Sequence, residues 1–169
     1  MMCGIACLQM ICKYYGKNVN QIFLSEMCSA THEGVSLLGI NNVATEIGFK
    51  TVSGRISVNG LTKGEFPCIL HWNQNHFVVL YKVNKAKKFY IADPGKGLVN
   101  YDLEEFKKHW ISTESDGEEK GIAMFLEPTP EFYNKQYDKE NLKESRSFRF
   151  LFGYIKKYRR YFGQHILFI

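Results

Sequence analysis

The sequence predicts an α+β domain in which helices come first and an antiparallel sheet follows. Through residue 50, apolar side chains recur at the spacing of helices packed on a core. Beyond residue 66, segments of strand length are rich in β-branched and aromatic residues, and the turns between them are short enough to make neighbours antiparallel. The chain has 169 residues, 45% of them hydrophobic, which suits one globular domain with an appendage.

The first predicted helix runs from Ile5 to Tyr15, and Gly16 follows as its C-terminal cap. Cys3 therefore lies at or just before the first helical turn. There, unpaired N–H groups and the positive end of the helix dipole stabilise a thiolate. Two further helices are predicted, one around residues 22–27 and one at 37–47 that Ser36 caps.

The rest of the predicted domain is mostly strand. A loop at residues 31–35 separates the second and third helices, and the sheet begins after residue 66. Asp102 begins one more helix, which ends near Trp110. Strands are predicted at residues 67–72, 76–83, 88–93, 98–101 and 122–126.

Three side chains, those of Cys3, His76 and Asp93, have the chemistry of a cysteine hydrolase. A nucleophilic cysteine needs a base for its proton and a third group to orient that base. His76 opens one predicted strand and Asp93 closes the next, so an antiparallel hairpin brings them within hydrogen-bond reach. Taken singly, His76 also fits a packed core histidine, and Asp93 fits a turn former before Pro-Gly.

Charge and cysteine content narrow the other functions. The net charge of +5 requires no nucleic-acid partner, and none is expected. The five cysteines include no C-x-x-C pair, which disfavours structural zinc, and no metal site is predicted. Without a secretory signal, reduced thiols are expected rather than disulfides.

The C-terminal part changes in character. Residues 1–128 form the predicted domain, residues 129–145 a polar linker, and residues 146–169 a basic amphipathic helix with aromatic residues. Such a helix fits an anionic membrane surface, although docking on the domain or a solvated charged face remains open. The final residues, 166–169, begin an apolar run, as in a protein cut before its first membrane span.

Ordered motifs from Cys3 to about Pro128 make the chain resemble the peptidase C39 family. These are papain-like cysteine protease domains at the N-terminus of bacteriocin-processing ABC transporters. The motifs are Cys3-Gly4-x-Ala6-Cys7-Leu8-x-Met10-Ile11-x-x-Tyr14-Tyr15-Gly16, Thr31-x-x-Gly34, His71-Trp72-x-x-Asn75-His76-Phe77, Asp93-Pro94-x-x-Gly97 and Glu105-Phe106.

The resemblance implies a cysteine endopeptidase that cuts a peptide precursor after a leader ending in Gly-Gly. It assigns Cys3 as nucleophile, His76 as general base and acid, and Asp93 as the group that orients His76. Trp72 and Phe77 are candidates for the constriction that admits only glycine. The peptidase is expected to need no cofactor, with ATP used only by transporter residues outside this sequence.

The resemblance also implies partners and a location. The leader peptide is one partner, and the membrane and nucleotide-binding domains of an ABC exporter, expected in the same full-length chain and as a dimer, are others. The location that it implies for the domain is the cytoplasmic side of the bacterial cell membrane. Residues 146–169 correspond to the elbow before the first membrane helix and are expected to lie on the membrane surface.

Two departures from the family pattern lead to a second hypothesis. Family members carry an oxyanion-hole Gln a few residues before the cysteine and an Asp just before it, whereas Met2 precedes Cys3 here. Loss of one oxyanion donor costs typically about 10²–10³-fold in rate, so impaired activity is expected. The alternatives are a catalytically silent leader-binding module and a generic membrane-surface adaptor.

Overall fold

The computed structural model describes three stretches of the chain: residues 2–28, 36–115 and 117–135. They belong to one compact unit, Met1–Gln136, and a second unit, Tyr137–Ile169, lies outside the described residues. The loop predicted at residues 31–35 and the basic helix predicted at 146–169 also lie outside them. In the described part of the chain, no helix has both the length and the apolar character needed to cross a bilayer.

Three helices open the fold, as predicted: α1 (Cys3–Tyr14), α2 (Gln21–Cys28) and α3 (Leu37–Glu46). The start of α3 is set by Ser36, whose hydroxyl oxygen accepts a hydrogen bond from the Gly39 N–H at 3.1 Å. Gly16 and Gly48 follow α1 and α3 in the left-handed region, with φ of +86° and +99°, where a Cβ is disfavoured.

A seven-stranded antiparallel sheet forms the rest of the described fold. The strands are β1 (Phe49–Ser57), β2 (Cys68–Trp72), β3 (His76–Val83), β4 (Phe89–Asp93), β5 (Gly97–Tyr101), β6 (Ile111–Ser115) and β7 (Glu118–Pro128). Their order in the sheet is β1-β7-β2-β3-β4-β5, with β6 paired to β7. The five predicted strands are present, whereas β1, β6 and a short helix, α4 (Val58–Thr62), were not predicted.

Helices cover both faces of the sheet, because successive side chains of a strand point to opposite faces. On the face that carries Phe77, α1 packs chiefly against β3. On the face that carries Trp72, α5 (Leu103–Trp110) contributes Phe106 and Trp110 to a buried aromatic core. The predicted cap of α5 is confirmed, since the Asp102 carboxylate accepts the Glu105 N–H at 2.9 Å.

The fold continues past residue 128. A short helix, α6 (Pro130–Asn134), buries Phe132, whose ring lies 4.4 Å from that of Phe49. The Thr129 N–H donates to the Gly48 carbonyl at 3.0 Å. Residues 129–135, assigned to the linker from their sequence, therefore pack on the domain, and the rest of the predicted linker lies outside the described residues.

Candidate active site

His76 and Asp93 form a hydrogen-bonded pair at one end of the sheet. Nε2 of His76 lies 2.8 Å from Oδ1 of Asp93. The prediction that the hairpin brings His76 and Asp93 within hydrogen-bond reach is therefore confirmed. The two residues are, however, not directly opposite each other in the strand pairing. Val79 pairs with Ala92, so His76 and Asp93 are diagonal neighbours on one face, close enough for side chains of their length.

Asp93 is a buried carboxylate held by two donors. It is 3% exposed, and the same oxygen that contacts His76 accepts the Gly95 N–H at 2.8 Å. Burial by itself raises the pKa of the Asp93 carboxyl, but the hydrogen bonds from His76 and Gly95 outweigh burial and bring that pKa below its ordinary value. Asp93 is therefore ionised at neutral pH, and it is both a turn former and a partner of His76.

The Asp93 contact determines which ring nitrogen of His76 is available. A carboxylate oxygen only accepts, so Nε2 carries the proton and the other nitrogen, Nδ1, is the basic one in the neutral ring. Nδ1 is buried and has no hydrogen-bond partner among the described residues. The anchored Nε2–H thus leaves Nδ1 as the ring nitrogen that can accept a proton.

Cys3 is the first residue of α1 and is 9% exposed. The first hydrogen bond within the helix joins the Ala6 N–H to the Met2 carbonyl. The N–H groups before Ala6 therefore have no acceptor inside the helix. Met2, at the cap position, makes no side-chain cap within the described residues. The positive end of α1 is thus directed at Cys3 and at any negative charge that develops beside it.

Gly4 brings the start of α1 against the strand that carries His76. A Cβ at Gly4 would lie 2.4 Å from Cδ1 of Ile40 and 3.3 Å from Cδ2 of Phe77. A larger residue would force the Ile40 and Phe77 side chains to move, and Phe77 directly follows His76 in β3. The small residue after the cysteine therefore lets the start of α1 pack closely against the end of β3 at which His76 lies.

Cys7 lies in the same neighbourhood, but its surroundings disfavour the thiolate. Burial, and then the nearby charges of Cys3 and Asp93, raise the pKa of the Cys7 thiol well above its usual range. Burial also raises the pKa of Cys12 to about 12 and raises that of Cys68. All five cysteines are free in this structure.

Other residues singled out from the sequence lie elsewhere. Trp72 is 1% exposed and packs between Tyr101 and Phe106, so the expectation that it narrows a cleft is wrong. Phe77 contacts α1, and the ring of His71 lies 5.2 Å from that of Phe77. Burial lowers the pKa of His71, which favours its neutral form.

One contact of the site was not predicted, although the sequence carries a signal for it. Gly95 donates to the orienting carboxylate, and Asp-Pro-Gly is a sequence in which an Asp side chain typically accepts the N–H two residues on. Among the described residues, no three His, Cys, Asp or Glu side chains cluster as metal ligands would.

Comparison with protein families and curated sequences shows similarity to a peptidase family and to processing and transport proteins. The model of the Peptidase C39 family matches residues 1–115. The colicin V secretion/processing ATP-binding protein CvaB of Escherichia coli is 34% identical over 133 residues, which are 79% of this chain and 18% of CvaB. LagD of Lactococcus lactis subsp. lactis, a lactococcin-G-processing and transport ATP-binding protein, is 29% identical over 136 residues, 77% of this chain and 18% of LagD. The chain thus spans about a fifth of the length of these curated relatives.

Solved structures show the same fold. A double glycine motif protease from an AMS/PCAT transporter, in complex with the leader peptide, superposes with a TM-score of 0.66 at 35% identity, covering 76% of this chain and 85% of that one. The peptidase domain of Streptococcus ComA, a bi-functional ABC transporter of a quorum-sensing pathway, gives 0.61 at 27% identity, covering 75% and 91%. The predicted α+β, papain-like class is confirmed.

Proposed function

Because this chain belongs to the peptidase C39 family of cysteine peptidases, we propose that it is a cysteine endopeptidase that cuts a peptide precursor after a Gly-Gly leader. The names of the relatives join processing to transport, and one structural neighbour is a double glycine motif protease with its leader bound. Within this chain, the observation that carries the proposal is the hydrogen bond between His76 and the buried Asp93. His76 directly precedes Phe77, the residue of β3 against which the start of α1 packs.

In the proposed first step, Nδ1 of His76 takes the proton of the Cys3 thiol. The resulting thiolate lies at the positive end of α1, which lowers the energy of the anion. Asp93 holds the Nε2–H of His76, keeps Nδ1 available as the base, and stabilises the imidazolium that forms. All the groups required for this step belong to the chain itself, so it needs no metal or cofactor.

The thiolate then attacks the carbonyl carbon of the second glycine of the leader. Negative charge develops on the carbonyl oxygen, and N–H groups of the first turn of α1, that of Cys3 included, are the proposed donors to it. Collapse of this intermediate breaks the peptide bond as His76 returns its proton to the leaving amine. Water, deprotonated by His76, then hydrolyses the thioester and releases the leader with Cys3 regenerated.

We further propose the setting of the reaction. The domain is expected at the cytoplasmic side of a bacterial cell membrane, next to the membrane and nucleotide-binding domains of an ABC exporter that functions as a dimer. These parts, which alone use ATP, belong to the same full-length protein in this proposal. The basic stretch at residues 146–169, which lies outside the described residues, is proposed to contact the membrane surface.

A cleavage assay with a synthetic precursor, an amphipathic leader ending in Gly-Gly joined to a short cargo, tests the proposal. Wild-type chain should release the cargo after the second glycine, and Cys3→Ala should abolish release while leader binding, followed by fluorescence anisotropy, persists. Cys28→Ser is the matched control, since this half-buried cysteine on α2 is also free but has no part in the proposed mechanism. It should cut at the wild-type rate.

Two results would contradict this assignment. Cleavage that survives in Cys3→Ala would exclude Cys3 as the nucleophile. Leader binding without turnover in the wild-type chain would instead favour the second candidate, a leader-binding module that recruits cargo without cutting it. That candidate follows from the departure from the family pattern, in which a Gln that helps form the oxyanion hole and an Asp precede the cysteine, whereas Met2 precedes Cys3 here.

A further inference from the structure

The turn that leads into His76 is held in a conformation that its residues do not favour. Residues 73–75 join β2 to β3, and the last pair of the ladder is Trp72 with His76. Asn73 and Gln74 both have positive φ, 49° and 60°. Asn tolerates this region, but Gln is seldom found there without outside support. The conformation of this exposed turn sets where β3, and therefore His76, begins.

That support comes from the end of α5. The Asn73 N–H donates to the carbonyl of His109 at 2.9 Å, and Nδ1 of His109 lies 2.8 Å from Oδ1 of Asn73. Since an amide oxygen only accepts, Nδ1 of His109 is the donor of the second bond. The turn is thus tied to α5 by a backbone bond and a side-chain bond at the same pair of residues.

The His109 ring is itself fixed from a second side. It stacks on the ring of Trp72, with centroids 5.2 Å apart and planes 22° apart, and lies 5.4 Å from the ring of Tyr101. Trp72 is buried and is the cross-strand partner of His76. The next residue of α5, Trp110, is also buried and donates from Nε1 to the carbonyl of Ile122 at 3.0 Å, so the helix end is anchored to the core.

We infer that His109 and Asn73 form a clamp that holds the β2–β3 turn and thereby orients His76. His109 is a positioning residue that contacts neither the substrate nor the reacting atoms. This inference rests on the proposed function only for its effect on cleavage. The clamp acts on the His76–Asp93 hydrogen bond, which can be observed without any substrate.

Two variants of His109 separate the hydrogen bond from the ring. His109→Phe keeps an aromatic ring against Trp72 and Tyr101 but removes the donor to Asn73. His109→Asn places an amide donor near the position of Nδ1 but removes the ring. Lys108→Ala, at the exposed neighbouring position of α5, is the control. Four quantities are measured: kcat on the Gly-Gly precursor, KM on the same precursor, the rate at which iodoacetamide alkylates Cys3, and the NMR signal of the His76 Nε2–H proton.

Loss of the clamp should act on the chemical step rather than on binding. His109→Phe should lower kcat about tenfold, leave KM within about twofold, slow alkylation of Cys3, and weaken the His76 Nε2–H signal through faster exchange with water. His109→Asn should recover most of kcat and the signal although it lacks the ring. Lys108→Ala should match the wild type throughout.

A purely structural role for His109 predicts a different pattern. Activity and unfolding free energy would then fall together in both variants, with no recovery in His109→Asn, and this result would overturn the inference. An unchanged kcat and an unchanged His76 signal in His109→Phe would also overturn it. If His109→Phe does not fold, Asn73→Gly removes the acceptor while allowing the positive φ, and the same loss of the His76 signal is expected.

If the wild-type chain does not cleave the precursor, the proposed function fails, and the NMR signal still decides on the clamp.

Discussion

Replacement of Asp93 by asparagine removes one charge and little else from the proposed active site. Both hydrogen bonds of the carboxylate, from His76 and from Gly95, end on the same oxygen, at 2.8 Å each. An amide oxygen can accept both in the same geometry, so Asp93→Asn keeps the turn and the orientation of His76. Asp93→Ala removes the acceptor as well and leaves the Nε2–H of His76 without its partner.

The two substitutions should have graded effects on cleavage. A hydrogen bond to a charged group contributes about 1.5–3 kcal/mol, against about 0.5–1.5 kcal/mol between neutral groups. Asp93→Asn therefore loses about 1–2 kcal/mol of stabilisation of the imidazolium, a fall of about 5- to 30-fold in kcat/KM. Asp93→Ala loses the whole bond, about 1.5–3 kcal/mol, which corresponds to about 10- to 150-fold.

The assay is the cleavage of the Gly-Gly precursor, quantified by chromatography, with urea unfolding as the measure of stability. Asp102→Asn is the matched control, because Asp102 also accepts a backbone N–H, from Glu105, but only as the cap of α5. Asparagine caps helices as well as aspartate does, so this variant should keep full activity. Wild-type kcat/KM in Asp93→Ala, or an equal loss in Asp102→Asn, would refute the proposed role of Asp93.

Two predictions concern stability. Gly48→Ala should lower the unfolding free energy by roughly 2–4 kcal/mol, because φ is +99° and the new Cβ would lie 2.5 Å from the backbone nitrogen of Phe132. The control Gly16→Ala, at φ +86° with open space around it, should lower it by only about 1–2 kcal/mol. Equal losses in the two variants would contradict the packing of α6 on Gly48. The pKa of the Asp93 carboxyl in the folded protein lies below its ordinary value. The ionised carboxylate therefore contributes its full share of the folding stability above the unfolded-state pKa of about 3.9. This contribution is lost as the pH falls from there through the folded-state pKa. Urea titrations should show the stability difference between wild type and Asp93→Asn shrinking over this range, and a difference independent of pH would contradict the assignment.

The site could be predicted from the sequence to the extent that its contacts are local. His76 and Asp93 are 17 residues apart, joined by one hairpin, so strand length and turn chemistry suffice to bring them together. The diagonal register was not predictable, because a bulge between Leu80 and Lys82 shifts the pairing. Cys3 was placed at a helix start by periodicity alone, whereas the packing of that helix start on β3 brings Gly4 against Phe77, 73 positions away in the chain.

The sequence by itself determined the helices with their caps, the central hairpins and the order of the three proposed catalytic residues. These features depend on periodicity, capping and turn formation, which act over a few neighbouring residues. Only the tertiary structure decided that β1 is a strand, since residues 52–55 are exposed on both faces and their partners in β7 lie about 70 positions later. It also decided that Trp72 belongs to the core and that His109 supports the turn before His76, because both depend on where α5 packs. Such contacts follow from which surfaces are buried together, and no local pattern in the sequence records them.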